Sequence, residues 1–558
     1  MHLTSYHSYA VLAAAIAPAA ASTYHHTNQS LVSDIDFISK RWGQISTYYD
    51  NPANAFGVKD VGLPAGCQVE QAHTLQRHAQ RFPTDYVDDG ALAEAFAEKL
   101  AEFKAAANSS ATFSGPLSFL NSYVYQMNES YLTGIGARTE FNLGVDFWNR
   151  YGRIIYNASA GQVGYETDYT NGTARPKSVL RTTSQSRIRE SQINWALGFF
   201  GPTYEKVPDP QLTDYTSGDL FDLVIIPEGG TENNTLASYD SCFNDFITGI
   251  GDLGDQDVFV YIPRYLQNAT ARLQQHVPTD FKLSNNDTYA MQLICAYEHG
   301  FIGMSDFCDF FTADEWNGFE NTLDMAYYYD YGFGNPTGRA QGIGYLQELL
   351  ARLTHQYITV SNSSVNSSIT NNSRDFPLDR PFYADFSHDD IIISVLTAMS
   401  LDYFRDPPSL TQFPPNPDRH FVLSKMTPFG GHLVTEVIGC SSPNPTAVSK
   451  ERVQYYPEQY GYSASNATHK FIRMRLNNGI LPLDTLRGGA CEGRTDGMCA
   501  LDKFVASQNE SYALSNYDYA CFGNWTIANT TNGFDYDGTV YLGQAGILEN
   551  TQPSSDDE

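Results

Sequence analysis

Short apolar runs of strand length alternate along this chain of 558 residues with stretches of helical length. Val69–Leu75 precedes the helix-like Ala91–Phe103, and Leu223–Pro227 (LVIIP) reads as a buried strand after the helical Ser191–Phe200. Phe382–Phe386 leads into Ile391–Ser400, while His432–Val437 and Phe471–Leu476 alternate as later strands. This alternation predicts an α/β fold, a sheet layered with helices. Between residues 240 and 340 the signals are helical (Ala271–His276, Thr288–His299, Ala313–Tyr329). The expected organisation is therefore an α/β domain over 22–235 and 340–558, interrupted by a smaller helical insertion over 236–339.

Composition narrows the function classes. Hydrophobic residues make up 42% and aromatics 13%, enough for a large core, which excludes a disordered, collagen-like or coiled-coil chain. Acidic residues outnumber basic ones 63 to 34, a net charge of -29. Against that field a nucleic-acid or membrane-surface partner is not expected.

The N-terminus reads as a signal peptide over 1–21. It has an alanine-rich run from Tyr9 that ends at Ala19-Ala20-Ala21, although its first residues lack Lys and Arg. Fifteen Asn-x-Ser/Thr sequons follow, at Asn28, Asn108, Asn128, Asn157, Asn171, Asn233, Asn268, Asn286, Asn362, Asn366, Asn371, Asn466, Asn509, Asn524 and Asn529. That density predicts a glycoprotein carrying N-linked glycans. The segment 361–373 reads as an exposed, glycosylated loop, and 22–33 as a flexible mature N-terminus. Eight cysteines without a Cys-x-x-Cys pair suit four disulfides in an oxidising compartment, with roughly a hundred pairings open. The expectation is a secreted, soluble protein.

The chemistry concentrates where candidate strands end, the place at which open α/β sheets hold ligands. Arg77-His78-Ala79-Gln80-Arg81-Phe82-Pro83 follows the first strand. An imidazole offers phosphorus a free lone pair near pH 5–7, and flanking guanidiniums supply forked donors to phosphate oxygens. Chance would produce Arg-His-x-x-Arg-x-Pro in a chain of this length on the order of once per thousand sequences. Asp385-Phe386-Ser387-His388-Asp389-Asp390 ends another strand. There His388 could hold a phosphate oxygen and Asp389 could protonate a leaving alcohol, although a helix N-cap is the ordinary use of such a run. Arg181, in Ser178–Arg187, follows a third apolar run. His25-His26, His73 and His299 lack metal-site partners and read as surface or satisfied core residues.

Taken in order, these motifs resemble the histidine acid phosphatase family, and most its secreted fungal branch of acid phosphatases and phytases. The resemblance rests on Arg77–Pro83, Arg181 with Arg187, Tyr331–Gly344 and Asp385–Asp389, and more weakly on Asn234–Leu236, Phe307–Asp309, Pro428–Gly430 and Cys491–Cys499. It runs from Cys67 to Cys521. It implies the phosphoglycerate-mutase-like histidine phosphatase fold, a mixed sheet flanked by helices. It further implies that His78 is a nucleophile forming phosphohistidine, that Asp389 is the proton donor, and that Arg77, Arg81, Arg181 and His388 form the phosphate pocket. No metal or cofactor is implied. The pairings it implies are Cys67–Cys440, Cys242–Cys521, Cys295–Cys308 and Cys491–Cys499.

Three residues or segments depart from the family pattern. Ala79 stands where glycine is usual, and its methyl group would reduce activity if the backbone there needed a positive φ or close approach to phosphate. Asp390 stands where fungal phytases commonly have asparagine, and is expected to raise the pKa of Asp389. The loop Asp85-Tyr86-Val87-Asp88-Asp89-Gly90 is acidic where phytases carry lysines. The expected activity is hydrolysis of simple or varied phosphomonoesters, with phytate as the alternative substrate. A catalytically dead binding protein on this scaffold, favoured only by Ala79, and a glycosidase, for which no carboxylate pair stands at a fixed spacing, are the remaining readings.

Overall fold

The computed structural model describes residues 30–106, 112–159, 161–201 and 220–550. The signal segment 1–21, His25-His26, Asn28, Asn108 and the tail from 551 lie outside them. Eight strands form one sheet: β1 (Cys67–Arg77), β2 (Ser178–Thr183), β3 (Phe221–Ile226), β4 (Phe382–Ser387), β5 (His432–Cys440), β6 (His469–Leu476), β7 (Gly479–Ile480) and β8 (Cys499–Ala500). The spatial order is β3-β2-β4-β1-β5-β6-β7, with β8 on β6. β3, β2, β4 and β1 run parallel, whereas β5 onward are antiparallel. The sheet is mixed and flanked by helices.

The long helices are α1 (Ala91–Ala106), α2 (Gly134–Phe147), α3 (Ser186–Phe200), α4 (Leu253–Gln274), α5 (Asn285–Ile302), α6 (Ala313–Asp330), α7 (Gly338–Thr354) and α8 (Asp389–Ala398). Every strand or helix expected from periodicity is present. Helical Ala271–His276 is the end of α4, which spans 22 residues. Periodicity predicts no helix at α2 or at α7, the latter beginning inside the Gly-rich 332–344 run.

Strand parity sorts the core. Ala72, Leu180, Phe382, Ala384 and Phe386 point to one face, where Trp195, Phe199 and Phe147 of α2 and α3 close on them. Leu75 points to the other, toward the core shared by α4–α8. The segment 361–373 is not a wholly exposed loop: Ser364 and Val365 are buried and Asn366 caps a short turn of helix, with Asn362 and Asn371 left exposed. At 30–33 the chain is tied to the helical layer, with the Val32 N–H donating to the Phe311 carbonyl at 2.9 Å. The disulfides are Cys67–Cys440, Cys242–Cys521, Cys295–Cys308 and Cys491–Cys499.

On the helix-α7 side of the sheet, Arg181 and Asp385 stand opposite each other in the β2–β4 register. Asp385 takes Arg181 Nε at 2.6 Å and Arg352 Nη1 at 2.7 Å, and Glu348 takes Arg181 Nη2 at 2.8 Å. The Tyr345 hydroxyl also donates to Asp385 at 3.0 Å. The two guanidiniums overcome the cost of burial and hold the Asp385 carboxyl far below its usual range. Removing one member leaves uncompensated buried charge, so Asp385→Asn should cost about 3–5 kcal/mol in denaturant unfolding.

Candidate active site

β1 and β4 end side by side, Arg77 paired with Ser387, so the residues that follow them meet. His78 leaves the end of β1 at 1% exposure. Its Nδ1 lies 2.8 Å from the Ala79 carbonyl. A carbonyl can only accept, so Nδ1 carries the hydrogen and Nε2 is left with its lone pair and no partner among the described residues. Burial, followed by the nearby Arg77, Arg187 and Arg81 charges, pushes the imidazole well below its ordinary pKa. His78 is thus neutral in acid solution, where a free histidine would be protonated.

Arg77 is fully buried. Its Nη1 donates to the carbonyls of Gln44 and Thr427, the latter at 2.8 Å, and its guanidinium lies 4.6 Å over the Phe429 ring. A positive φ of 74° at Gly430 turns the chain there, and its N–H donates to the His78 carbonyl at 2.9 Å. Arg77 Nη2 pairs with Asp389 Oδ2 at 2.7 Å, and Arg81 Nη1 pairs with Asp89 at 2.8 Å.

His388 and Asp389 stand at the N-cap and first position of α8. His388 Nε2 faces Glu228 at 3.2 Å and the Tyr239 hydroxyl at 3.1 Å. Tyr239 donates to Glu228 at 2.7 Å. Burial opposes ionisation of Glu228, but His388 and these hydrogen bonds win and hold it at about 2. The Tyr327 hydroxyl donates to Asp389 Oδ2 at 2.6 Å. Burial again opposes ionisation, and the Arg77 charge with the Tyr327 hydrogen bond overcomes it, so Asp389 lies below the usual carboxylate range.

The structure therefore brings His78, Arg77, Arg81, His388 and Asp389 together, but not Arg181. Arg181 sits mid-strand, fully buried in the Asp385 cluster, while the site lies beyond the strand ends. Arg187, in the first turn of α3, lines the cavity instead, with an Nε that has no hydrogen-bond partner among the described residues. The sequence pairs the two arginines, and only strand parity tells them apart. The expected effect of Asp390 is also corrected. Burial raises Asp390 itself to about 7, while Asp389 beside it is lowered. Ala79 is fully buried and has no positive φ, so its backbone carries none of the strain a glycine would relieve. Glu228, Tyr239 and Tyr327, which orient the His-Asp pair, stood in no sequence motif.

His73 is buried and stacked on Tyr383 at 4.8 Å, with burial pushing it down to about 3. His299 packs edge-on to Trp42. Among the described residues no group of His, Cys, Asp and Glu is placed to hold a metal, and no helix is long and apolar enough to cross a membrane.

Residues 68–477 match the model of the histidine phosphatase superfamily, branch 2, and the chain belongs to that family. It is a phosphoric monoester hydrolase of the histidine acid phosphatase type. It is 28% identical to Phytase A of Neurospora crassa, over 86% of this chain and 91% of that one. With Phytase A of Aspergillus oryzae the identity is 27%, over 88% and 90%. The crystal structure of the phytase from D. castellii superposes with a TM-score of 0.61 at 21% identity, covering 90% of this chain and 92% of that one.

Asp255 and Asp390, raised by burial to about 7, hold protons that the unfolded chain, near 3.9, has already released by that pH. Stability contributed by these groups is full below about pH 4 and is lost as pH rises through about 7. The Tm should be lower at about pH 8 than at about pH 4.5, as read by calorimetry.

Proposed function

We propose that His78 is the nucleophile of a two-step phosphomonoester hydrolysis, and the observation that carries this is its neutral, unpartnered Nε2 beneath three arginines. In the first step the Nε2 lone pair forms the N–P bond as the P–O ester bond breaks. Arg77, Arg81, Arg187 and His388 supply donors to the phosphoryl oxygens and neutralise developing charge. Asp389 gives its proton to the departing alkoxide. In the second step water attacks phosphorus, Asp389 takes the water's proton, and the N–P bond breaks to release phosphate and restore neutral His78.

Asp389 is ionised in the free enzyme, so its proton must arrive with the substrate. A monoanionic ester, whose second pKa is about 6, brings both that proton and a charge that draws Arg77 away from Asp389. Acid activity follows from this pairing together with the depressed His78. On this reading His78→Ala abolishes phosphate release from p-nitrophenyl phosphate, and the wild-type enzyme quenched in mid-turnover carries alkali-stable phosphate on His78. Arg187→Ala is expected to lower kcat/KM by roughly 10²–10³ while leaving the unfolding free energy within about 0.5 kcal/mol. Arg181→Met should do the reverse, unfolding early with the site chemistry intact. Equal stability losses in both would remove Arg187 from the pocket.

For the substrate class we favour simple phosphomonoesters over phytate, the hexakisphosphate. Although relatives are named phytases, Asp85, Asp88 and Asp89 line the cavity and, among the described residues, no lysine does. We further take 1–21 as a signal peptide, 236–339 as a helical insertion, and the chain as a secreted glycoprotein. In support, ten of the thirteen sequon asparagines within the described residues are exposed. Asn233 is different: its Nδ2 donates to Ser361 Oγ and to the Ser363 and Val365 carbonyls. Glycopeptide mass spectrometry should find sites such as Asn128 and Asn466 occupied and Asn233 bare.

A further inference from the structure

The phosphate cradle accounts for only one wall of its cavity, whose volume is about 580 Å³. Around that cavity stand eleven carboxyl side chains against two guanidiniums and one imidazole. Three of the eleven are matched: Asp89 with Arg81, Asp389 with Arg77, and Glu228 with His388. The other eight, among them Asp85, Asp240 and Asp252, have no ion-pair partner among the described residues. Asp89 itself, 3% exposed, keeps an Oδ1 with no hydrogen-bond partner among the described residues. Two aromatic rings open to solvent, Tyr86 at 60% and Phe246 at 64%, stand at the same cavity.

This is an unusual lining for a site that must admit an anion. The phosphoryl group is served by the arginines, so the carboxylates act on the rest of the substrate. They do not converge as metal ligands: among the described residues no group of three is placed to hold an ion. Burial holds Asp88, Asp245, Asp255, Asp330 and Asp390 largely protonated in acid. The negative field therefore comes from the other unpaired carboxyls, Asp85, Asp240 and Asp252, and with the exposed ring faces beside them it suits a bulky organic cation. A polyanionic alcohol would meet the same field as repulsion.

We propose that the cavity selects phosphomonoesters whose alcohol portion carries a positive charge, such as a quaternary or protonated amine. The inference rests on the phosphohistidine reading above and adds the identity of the leaving group. The isosteric pair choline phosphate and 3,3-dimethylbutyl phosphate differs only in that charge, because carbon replaces nitrogen.

Steady-state hydrolysis of both, with p-nitrophenyl phosphate as reference, tests it at low salt and about pH 5.5. The kcat/KM for choline phosphate should exceed that of the neutral ester by about tenfold or more. In Asp85→Asn/Asp240→Asn/Asp252→Asn the ratio should fall to about threefold or less, through the cationic ester alone. Should that variant not fold, about 0.5 M salt on the wild type must shrink the ratio in the same way. Equal kcat/KM for the two isosteres overturns the inference and leaves the phosphatase reading standing. A ratio indifferent to both salt and the substitutions overturns it too, since shape would then be the selector. Hydrolysis of none of the three esters removes the phosphohistidine reading, and this inference with it.

Discussion

The parallel pairing of β1 with β4 is the constraint on which the site depends. Register places Arg77 beside Ser387, so the two chains leave the sheet edge at the same height and His78 emerges next to His388 and Asp389. Their imidazole rings lie 5.9 Å apart. A shift of one residue in that register would turn Arg77 to the opposite face and away from Asp389. The Asp385 cluster, four residues before Asp389, locks the same strand to β2 and α7 through two arginines. An ion pair buried this deeply adds little net stability compared with a well-packed apolar core. What it does here is pin the strand whose end carries the His-Asp pair.

Charge is arranged in two layers. Nearest His78 Nε2, cations dominate: burial and then these charges depress His78, and the same charges overcome burial to depress Asp389. Farther out, carboxyls dominate, and burial together with mutual repulsion leaves Asp88, Asp245 and Asp330 well above the usual carboxylate range. In the proposed mechanism the inner layer keeps His78 neutral in acid, as a nucleophile must be. In the proposed selectivity it is the unpaired carboxyls Asp85, Asp240 and Asp252 of the outer layer that act on the charge of an approaching alcohol portion. Histidine protonation, normally the limit on imidazole nucleophiles below about pH 6, is disfavoured at His78 by burial first and by the inner arginines second.

Family membership and the overall likeness to phytases do not carry the substrate with them. Function resides in side chains placed on the fold, and the acidic loop 85–89 stands directly at the cavity. Ala79 illustrates the opposite case, a departure that the backbone absorbs. Its φ is unstrained and its N–H approaches Ser191 Oγ at 3.4 Å. Beneath it Glu140, held neutral by burial, takes hydrogen bonds from Gln76 and Ser191 rather than pairing with a cation.

Much was legible in the residues alone. Apolar runs of strand length and the stretches between them follow local periodicity, so β1, β4, α1 and α5 were readable within a few residues. The Arg-His-x-x-Arg-x-Pro run is contiguous, and its chemistry can be read without a fold. What tertiary structure alone decided are relations between distant segments. Arg181 and Arg187 look alike in sequence. Only the strand's parity and its end assign the first to a buried ion cluster and the second to the cavity. Glu228, Tyr239 and Tyr327 come from separate elements and acquire their roles by meeting His388 and Asp389 across the fold. The pKa values belong to the same category, because burial and neighbouring charge exist only once the chain has closed around them.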